Sequence, residues 1–448
     1  MSIVDYHPEY LDALPDWELI RDAMEGERKI KERGETHLPM PTGFLQTPDG
    51  GVRLYAAYQK RARFGEYLSP TVSGMVGVIH SAEEKLRIEL PTQLEYLWEK
   101  SDFSGEMPLE ALHQALTREL ISYGRAGLQV NAPLAGGDPY LAIWSALTVV
   151  NWDRGLIILD DSKYVRQGFS WTWKVLRRVV ERRPEGIFSF LYEEGSQSSP
   201  ELEIRGVNGS LQRFPFILVN AEGISQDVVA PPVLGVARAA VSEYQLSADY
   251  RWQLYMSGQE TLVIINGKAP EAVGAGVVVE LIGETEGKQP DAKYVGPNGT
   301  GIDAHRQAME DERQKAVAAG AKLLQFDKNA AESGDALRTR FRGHTATLIG
   351  IAQASCRALE QGLRVIGEMK GLSDEQIEKI VVTPPKDLAE QIMSGTEAEA
   401  WTRVREMGGI SSLSLHERLQ RGGAISSERS FEEETQLIEE DGSRVSGI

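Results

Sequence analysis

Residues 335–369, "DALRTRFRGHTATLIGIAQASCRALEQGLRVIGEM", contain no proline, so nothing in the stretch forces a helix to break. Leu337, Phe341, Leu348, Ala352, Leu359, Leu363 and Ile366 follow one another at intervals of four, seven, four, seven, four and three. That spacing draws a heptad-like stripe along one face of a single helix. At 1.5 Å per residue the rod is roughly 50 Å long. Ala346, Ile349 and Cys356 lie off the stripe, and Gly350, Ala354 and Ala358 are small enough to admit a second backbone. Two arrangements satisfy such a rod. It is the central helix of its own domain, or it packs one face on its parent subunit and another on a neighbouring copy. The order of the elements before it favours the second arrangement. A long helix, a small β unit, a charged helix and a loop suit a spoke in a ring better than an enzyme core.

A chain of 448 residues exceeds one compact core and is expected to fold as two to four units. Hydrophobic residues are 41% and charged residues 25%, as in ordinary globular proteins. The net charge of −18 argues against tight DNA binding by phosphate neutralisation, but not against a protein that lets DNA slide past. Cys356 is the single cysteine, which excludes an intramolecular disulfide and a cysteine-built metal site within one chain. The opening residues hold no apolar core of signal-peptide length, and no apolar run approaches membrane-spanning length. The expected compartment is therefore a reducing cytoplasm or a particle assembled there, and the sequons at Asn208 and Asn298 carry no weight.

The first third reads as helical. Asp16, after Pro15, is placed to cap a helix reaching Arg33. Residues 51–68 give a second helix cut by Pro70, and residues 71–86 a third with Val72, Val76, Ile79 and His80 on one face. Leu109, Leu112, Leu116, Leu120 and Ile121 mark an amphipathic helix ended by Gly124 or Gly127. From about 125 to 222 short β runs dominate, with Asn208-Gly209 a two-residue turn signal. Pro231-Pro232 opens a helix of about seven turns ending at Gly258. A second β segment follows, then a charged helix over 302–319, a polar loop and the long rod. After Gly371 come two short helices and an acidic tail, expected to be frayed or disordered.

Nothing here matches a nucleotide-binding loop or a nucleophile elbow, and "GAGVVVE" lacks the third glycine and the helix of a dinucleotide site. The seven histidines are scattered. Asp160-Asp161 is the best carboxylate pair for a metal, but adjacent strand residues point to opposite faces. No catalytic residue, metal site or cofactor is expected.

Five ordered stretches carry a family resemblance: "DYHPEYLDALPDWELIRDAMEGERKIKERGETHLPMP"; "SYGRAGLQVNAP" with "DPYLAIWSALTVVNWD"; "PPVLGVARAAVSEYQLSADYRWQLYMSG" with "TLVIING"; "GAKLLQFDKNAAESGDALRTRFRGHTATLIGIAQASCRALEQGL"; and "GGISSLSLHERLQRGGAISSERSFEEETQLIEE". Together they resemble the portal proteins of tailed bacteriophages, across nearly the whole chain. The resemblance implies an α+β portal-like fold. A wing would cover residues 1–230, helical to about 124 and β-rich over 125–222. Stem helices would occupy 231–258 and 302–319, flanking a clip at 259–301. A channel loop would fill 320–334, a long wing helix 335–371, and a crown with an acidic tail 372–448. It implies no enzyme but a ring, dodecameric in this family, at one capsid vertex of a virion assembled in the host cytoplasm. Its partners would be the terminase large subunit, head-completion or tail adaptor proteins, the major capsid and scaffolding proteins, and double-stranded DNA passing without sequence specificity. Another phage structural protein, a minor capsid or adaptor component, is the alternative, and a metal-dependent nuclease built on Asp160-Asp161 a third.

In that placement Asp303, Glu310 and Asp311, with Glu312, would repel phosphates from an acidic channel wall. Lys322, Gln325, Asp327, Lys328 and Asn329 would form a mobile constriction, Lys322 and Lys328 touching DNA. Contacts between subunits would fall to Arg306 and Arg313, to Leu348, Ala352 and Leu359 on the rod, and to clip strands such as 277–281 pairing edge to edge.

Overall fold

The computed structural model describes residues 5–80, 87–133, 137–193, 196–258, 261–268, 281, 289–295, 301–321, 334–384, 395–421, 425 and 429–445. It is a mixed α+β architecture. Helix α1 (Pro8–Glu25) starts earlier than expected, with His7 as its cap and Pro8 in the first turn, where a missing N–H costs nothing. Pro15 sits inside it, so Asp16 is not a cap. The chain bends at Gly26, φ 86°, which separates α1 from α2 (Glu27–Glu32). One fully buried carboxylate, Asp22, ties this corner together. Its oxygens lie 3.0 Å from Arg21, 2.8 Å from Arg33 and 2.9 Å from His37.

Helix α3 (Val52–Arg61) is followed by α4 (Leu68–His80). Pro70 does not cut the chain here as expected. It occupies the first turn of α4, whose N–H groups have no partner within a helix anyway. Val72, Val76 and Ile79 are buried as one face. Helix α5 (Leu109–Tyr123) buries all five of its expected apolar positions and ends at Gly124, φ 70°.

Short β1 (Arg87–Glu89) lies between α4 and α5. The core sheet is β2 (Arg125–Asn131), paired on one side with β3 (Tyr140–Ser145). Strands β4 (Val149–Asp153) and β5 (Leu156–Asp160) begin a second sheet. The ribbon of β6 (Lys163–Gln167) and β7 (Ser170–Lys174) interrupts it. It resumes with β8 (Leu176–Arg183), β9 (Gly186–Glu193), β10 (Ser196–Gln197) and β11 (Leu202–Glu203), in the order β10-β9-β8-β5-β4 with β11 also on β9. A small hairpin pairs β12 (Arg205–Gly206) with β13 (Gly209–Ser210), so Val207 and Asn208 form the turn, one residue before the expected pair. Strand β14 (Phe216–Asn220) closes the core sheet on the other edge of β2.

Helix α6 (Leu234–Ser257), the two-stranded β15 (Thr261–Ile265) and β16 (Asp291–Val295), and helix α7 (Ile302–Ala321) follow. Helix α8 (Gly334–Met369) is the long rod. From 348 onward it lies in the core of its own chain. Leu348, Ala352 and Leu359, expected between subunits, are fully buried beside Ile351, Cys356, Leu363 and Ile366. The physical reason is the run of small residues. Ala354, Ala358 and Gly362 let α5 and the core sheet close in from different sides, and a Cβ at Gly362 would stand 2.9 Å from Leu128. Only a narrow stripe at Gln353, Arg357 and Gln361 stays exposed. For this half of the rod the first arrangement holds.

Residues after 371 do not leave at once. Leu372, Ile377, Ile380 and Val382 join the same core, around α9 (Asp374–Glu378), and β17 (Val381–Thr383) pairs antiparallel with β1. Helices α10 (Gly395–Glu406), α11 (Ser412–Arg421) and α12 (Phe431–Val445) complete the chain, so the acidic tail is helical to Val445.

Candidate functional site

Helix α6 changes character along its length. Its buried residues run from Leu234 to Ala248, with Ala237, Ala240 and Tyr244 between them, and none follows. Beyond that point one side is held by aromatic rings. Trp252 lies 5.3 Å from Phe44 and 5.8 Å from Tyr255, and the Arg61 guanidinium sits 3.8 Å over Tyr255. The Tyr58 hydroxyl donates to Asp249 at 2.5 Å. Leu254 and Met256 are exposed at this end of α6.

Helix α7 returns antiparallel against α6. Gly301 faces Gln253 at one end, and at the other Gly235 faces Ala319 and Gly320 faces Val236. At Gly320 a Cβ would also stand 3.0 Å from Thr71 of α4, which seats the base of the arm on the core. Helix α7 meets α6 along one seam that includes Ala316 and Gly320, and most of its remaining described surface is exposed. The ladder β15–β16 crosses the far end and exposes Ile265, Tyr294 and Val295.

Asp303, Glu310 and Asp311 all face solvent, Asp303 at 90%. Arg306 is also exposed and lies 3.6 Å from Asp303 on the same helix, a pairing worth little in water. Gln307 donates to Asp311 at 3.0 Å, and Lys315 pairs with Glu312 at 2.6 Å, which raises the lysine pKa. Arg313 is exposed as well, and its charge is felt at Tyr67, whose hydroxyl burial pushes up to about 12 with Glu243 adding to the rise. Arg306 and Arg313 are thus at the surface, whereas Leu348, Ala352 and Leu359 are not. Lys322, Gln325, Asp327, Lys328 and Asn329 lie outside the described residues, as does 277–280 of the clip strand.

Asp160 and Asp161 are engaged by arginines. Arg177 reaches Asp160 at 2.5 Å and Arg178 reaches Asp161 at 2.7 Å. Among the described residues no three histidine, cysteine or acidic side chains converge as a metal set, and no helix is long and apolar enough to cross a membrane. The sequence reading missed the aromatic grip on α6. Trp252 and Tyr255 stand three residues apart on α6, but Tyr58 and Arg61 come from α3 and Phe44 from the segment before it.

A family model described as a domain of unknown function, DUF4055, matches residues 232–368. The match begins just before α6 and ends in the last turn of α8. No curated protein matches the chain. Among solved structures the chain is similar to one in the virion of a native gene transfer agent particle, at TM-score 0.44 and 15% identity, over 82% of this chain and 92% of that one. It is also similar to one in the neck of an empty gene transfer agent particle computed with C6 symmetry, at TM-score 0.41 and 14% identity over 80% and 90%. A third is in the neck of the native particle computed with C12 symmetry, at TM-score 0.41 and 16% identity over 80% and 91%.

Proposed function

We propose that the chain is a portal-like subunit of a phage-like particle, closing with identical copies into a ring around a DNA channel. The arm of α6, β15–β16 and α7 carries the reading. Two helices that share one seam and leave charged and apolar surface on several sides are poorly satisfied alone. Side by side in a ring, each arm finds a neighbour on both flanks. The exposed carboxylates of Asp303, Glu310 and Asp311 then give a wall that repels phosphates, which is what a conduit needs in order not to stall its cargo. The residues that follow α7 supply the constriction, with Lys322 and Lys328 as the DNA contacts. The terminase large subunit, head-completion or tail adaptor proteins, and capsid and scaffolding proteins are the partners such a ring would dock, and no cofactor enters its work.

Native mass measurement together with electron micrographs of the purified chain tests the proposal. The expected result is a closed ring, twelve-membered by the family resemblance, with a central hole wide enough for a duplex. A monomer, or a small oligomer with no hole, favours the minor capsid or adaptor alternative instead.

A further inference from the structure

The hold of the body on helix α6 changes character at one point. As far as Ser247 it includes main-chain groups of other segments. Gln245 Nε2 donates to the His37 carbonyl at 2.9 Å, and the Arg63 N–H donates to the Ser247 hydroxyl at 2.9 Å. Ala248 is the last buried residue of the helix. Helix α7 shows the same change from the other direction. Of its described residues Ala316 and Gly320 are buried, both near the base, and none from Ile302 to Lys315 is. Beyond Ala248, α6 is gripped by side chains of α3 and of the segment before it. Tyr58 donates to Asp249 at 2.5 Å. The Trp252 ring meets Phe44 at 5.3 Å and Tyr58 at 6.0 Å, and the Arg61 guanidinium lies over both Trp252 and Tyr255.

The two halves of the grip differ in burial. Phe44 and Tyr58 belong to the core of the body, whereas Trp252 is half-buried and Tyr255 is exposed. A cation over a ring at such an exposed place is a modest attraction. Segments held by few buried apolar contacts open first, and they open without the rest of the fold. We propose that Phe44, Tyr58, Arg61, Asp249, Trp252 and Tyr255 form a latch. Closed, it holds the outer part of α6 against α3. Open, it lets Asp249–Ser257 swing away with the ladder and the start of α7, while the inner part of α6 stays seated on His37, Arg63 and the core. The latch thereby sets the angle at which the arm leaves the body. It is a property of the single chain and does not rest on the ring reading.

Nitroxide labels at Arg53→Cys on α3 and Met256→Cys on α6, both exposed positions, read the distance across the latch. Cys356 is buried and stays unlabelled. Labelled chain is mixed into an excess of unlabelled chain, so that the distance within one copy is measured. The expected result is a narrow distribution in the otherwise native chain and longer distances with Arg61→Gln/Trp252→Ala. Tyr58→Phe keeps the buried ring and removes only the hydroxyl, so it should fold as the native chain does and populate both distances. In hydrogen exchange the same variants should speed the amides of 250–257 by about tenfold and leave 236–247 unchanged. Unchanged distances in both variants overturn the latch. Exchange that rises equally over 236–247 makes the cluster part of the core and overturns it as well. A broad distribution in the native chain shows no closed state and does the same. Neither measurement depends on ring closure, so the latch can fail with the ring reading intact, and the reverse.

Discussion

The Arg177 guanidinium lies 2.5 Å from Asp160 Oδ1, directly across the β5–β8 ladder. The Ser162 hydroxyl donates to the same carboxylate oxygen at 2.5 Å, so Asp160 Oδ1 is engaged as a structural acceptor. Replacing Arg177 by Met is expected to destabilise the protein by about 1–3 kcal/mol, because the carboxylate loses its charged partner at a half-buried position. Urea unfolding measures this. Millimolar magnesium or manganese should leave the native unfolding midpoint in place, since a metal bound at Asp160 and Asp161 would raise it by mass action.

His113 gives a pH dependence of known sign. It is fully buried between α5 and α8, with Nε2 3.0 Å from Ser355 Oγ and 3.8 Å from Cys356 Sγ, and the His80 ring of α4 stands 4.9 Å away. Burial, with the His80 charge adding to it, lowers its pKa to about 3. Glu110 acts in the opposite direction on His80, whose own pKa burial also lowers. The unfolded chain takes up a proton at His113 below its ordinary value of about 6.5 and the folded chain does not. Stability is therefore complete above that value and is lost as pH falls toward about 3. Between about pH 7 and pH 5 the loss from this group is about 2 kcal/mol. A His113→Gln variant should lose correspondingly less over the same interval in chemical unfolding.

Gly124 joins α5 to β2 at φ 70°, and a Cβ there would stand 3.2 Å from the backbone of Val229, Ala230 and Pro231. Backbone on every near side leaves no flexible side chain to yield. Gly124→Ala should cost about 1–3 kcal/mol from left-handed strain and displacement of the approach to α6. Thermal unfolding reads the stability, and native mass reads whether the arm still supports assembly.

The exposed carboxylates of α7 allow a charge test. An Asp303→Lys/Glu310→Lys/Asp311→Lys variant should retain duplex DNA at low salt where the native assembly does not. Retention should fall steeply with salt, the log–log slope changing by about 0.9 for each new phosphate contact. A filter-binding titration against salt measures it. Equal behaviour of the two proteins removes these residues from the channel wall.

Periodicity made α5, α6 and the extent of α8 legible, because each carries its apolar positions in one unbroken stretch. Of the two glycines expected to end α5, Gly124 does so in a left-handed conformation, and Gly258 ends α6 as expected. What surrounds a helix is a different matter. Leu348 and Leu359 read equally well as facing a neighbour or facing home, since the stripe does not say which partner covers it. Pro70 misled because a proline in the first turn removes an N–H that has no partner within the helix anyway. Pro15 misled differently: it lies in the interior of α1, which runs on through it without one intrahelical hydrogen bond. Of the candidate site, the charges of α7 were legible as a surface. The Asp160–Arg177 pair was not, because ladder register across the interposed ribbon fixes it, and Arg178 reaches Asp161 just beyond the end of the same ladder.

The pairing of β1 with β17 sets a timetable for synthesis. Arg87 meets Thr383, so the strand that leaves the ribosome early has no partner until almost the whole chain has emerged. At ordinary translation rates that wait is roughly 15–60 s. Throughout it the N-terminal third stands with an open strand edge and without α8 beneath it, which is when the growing chain is most exposed to aggregation.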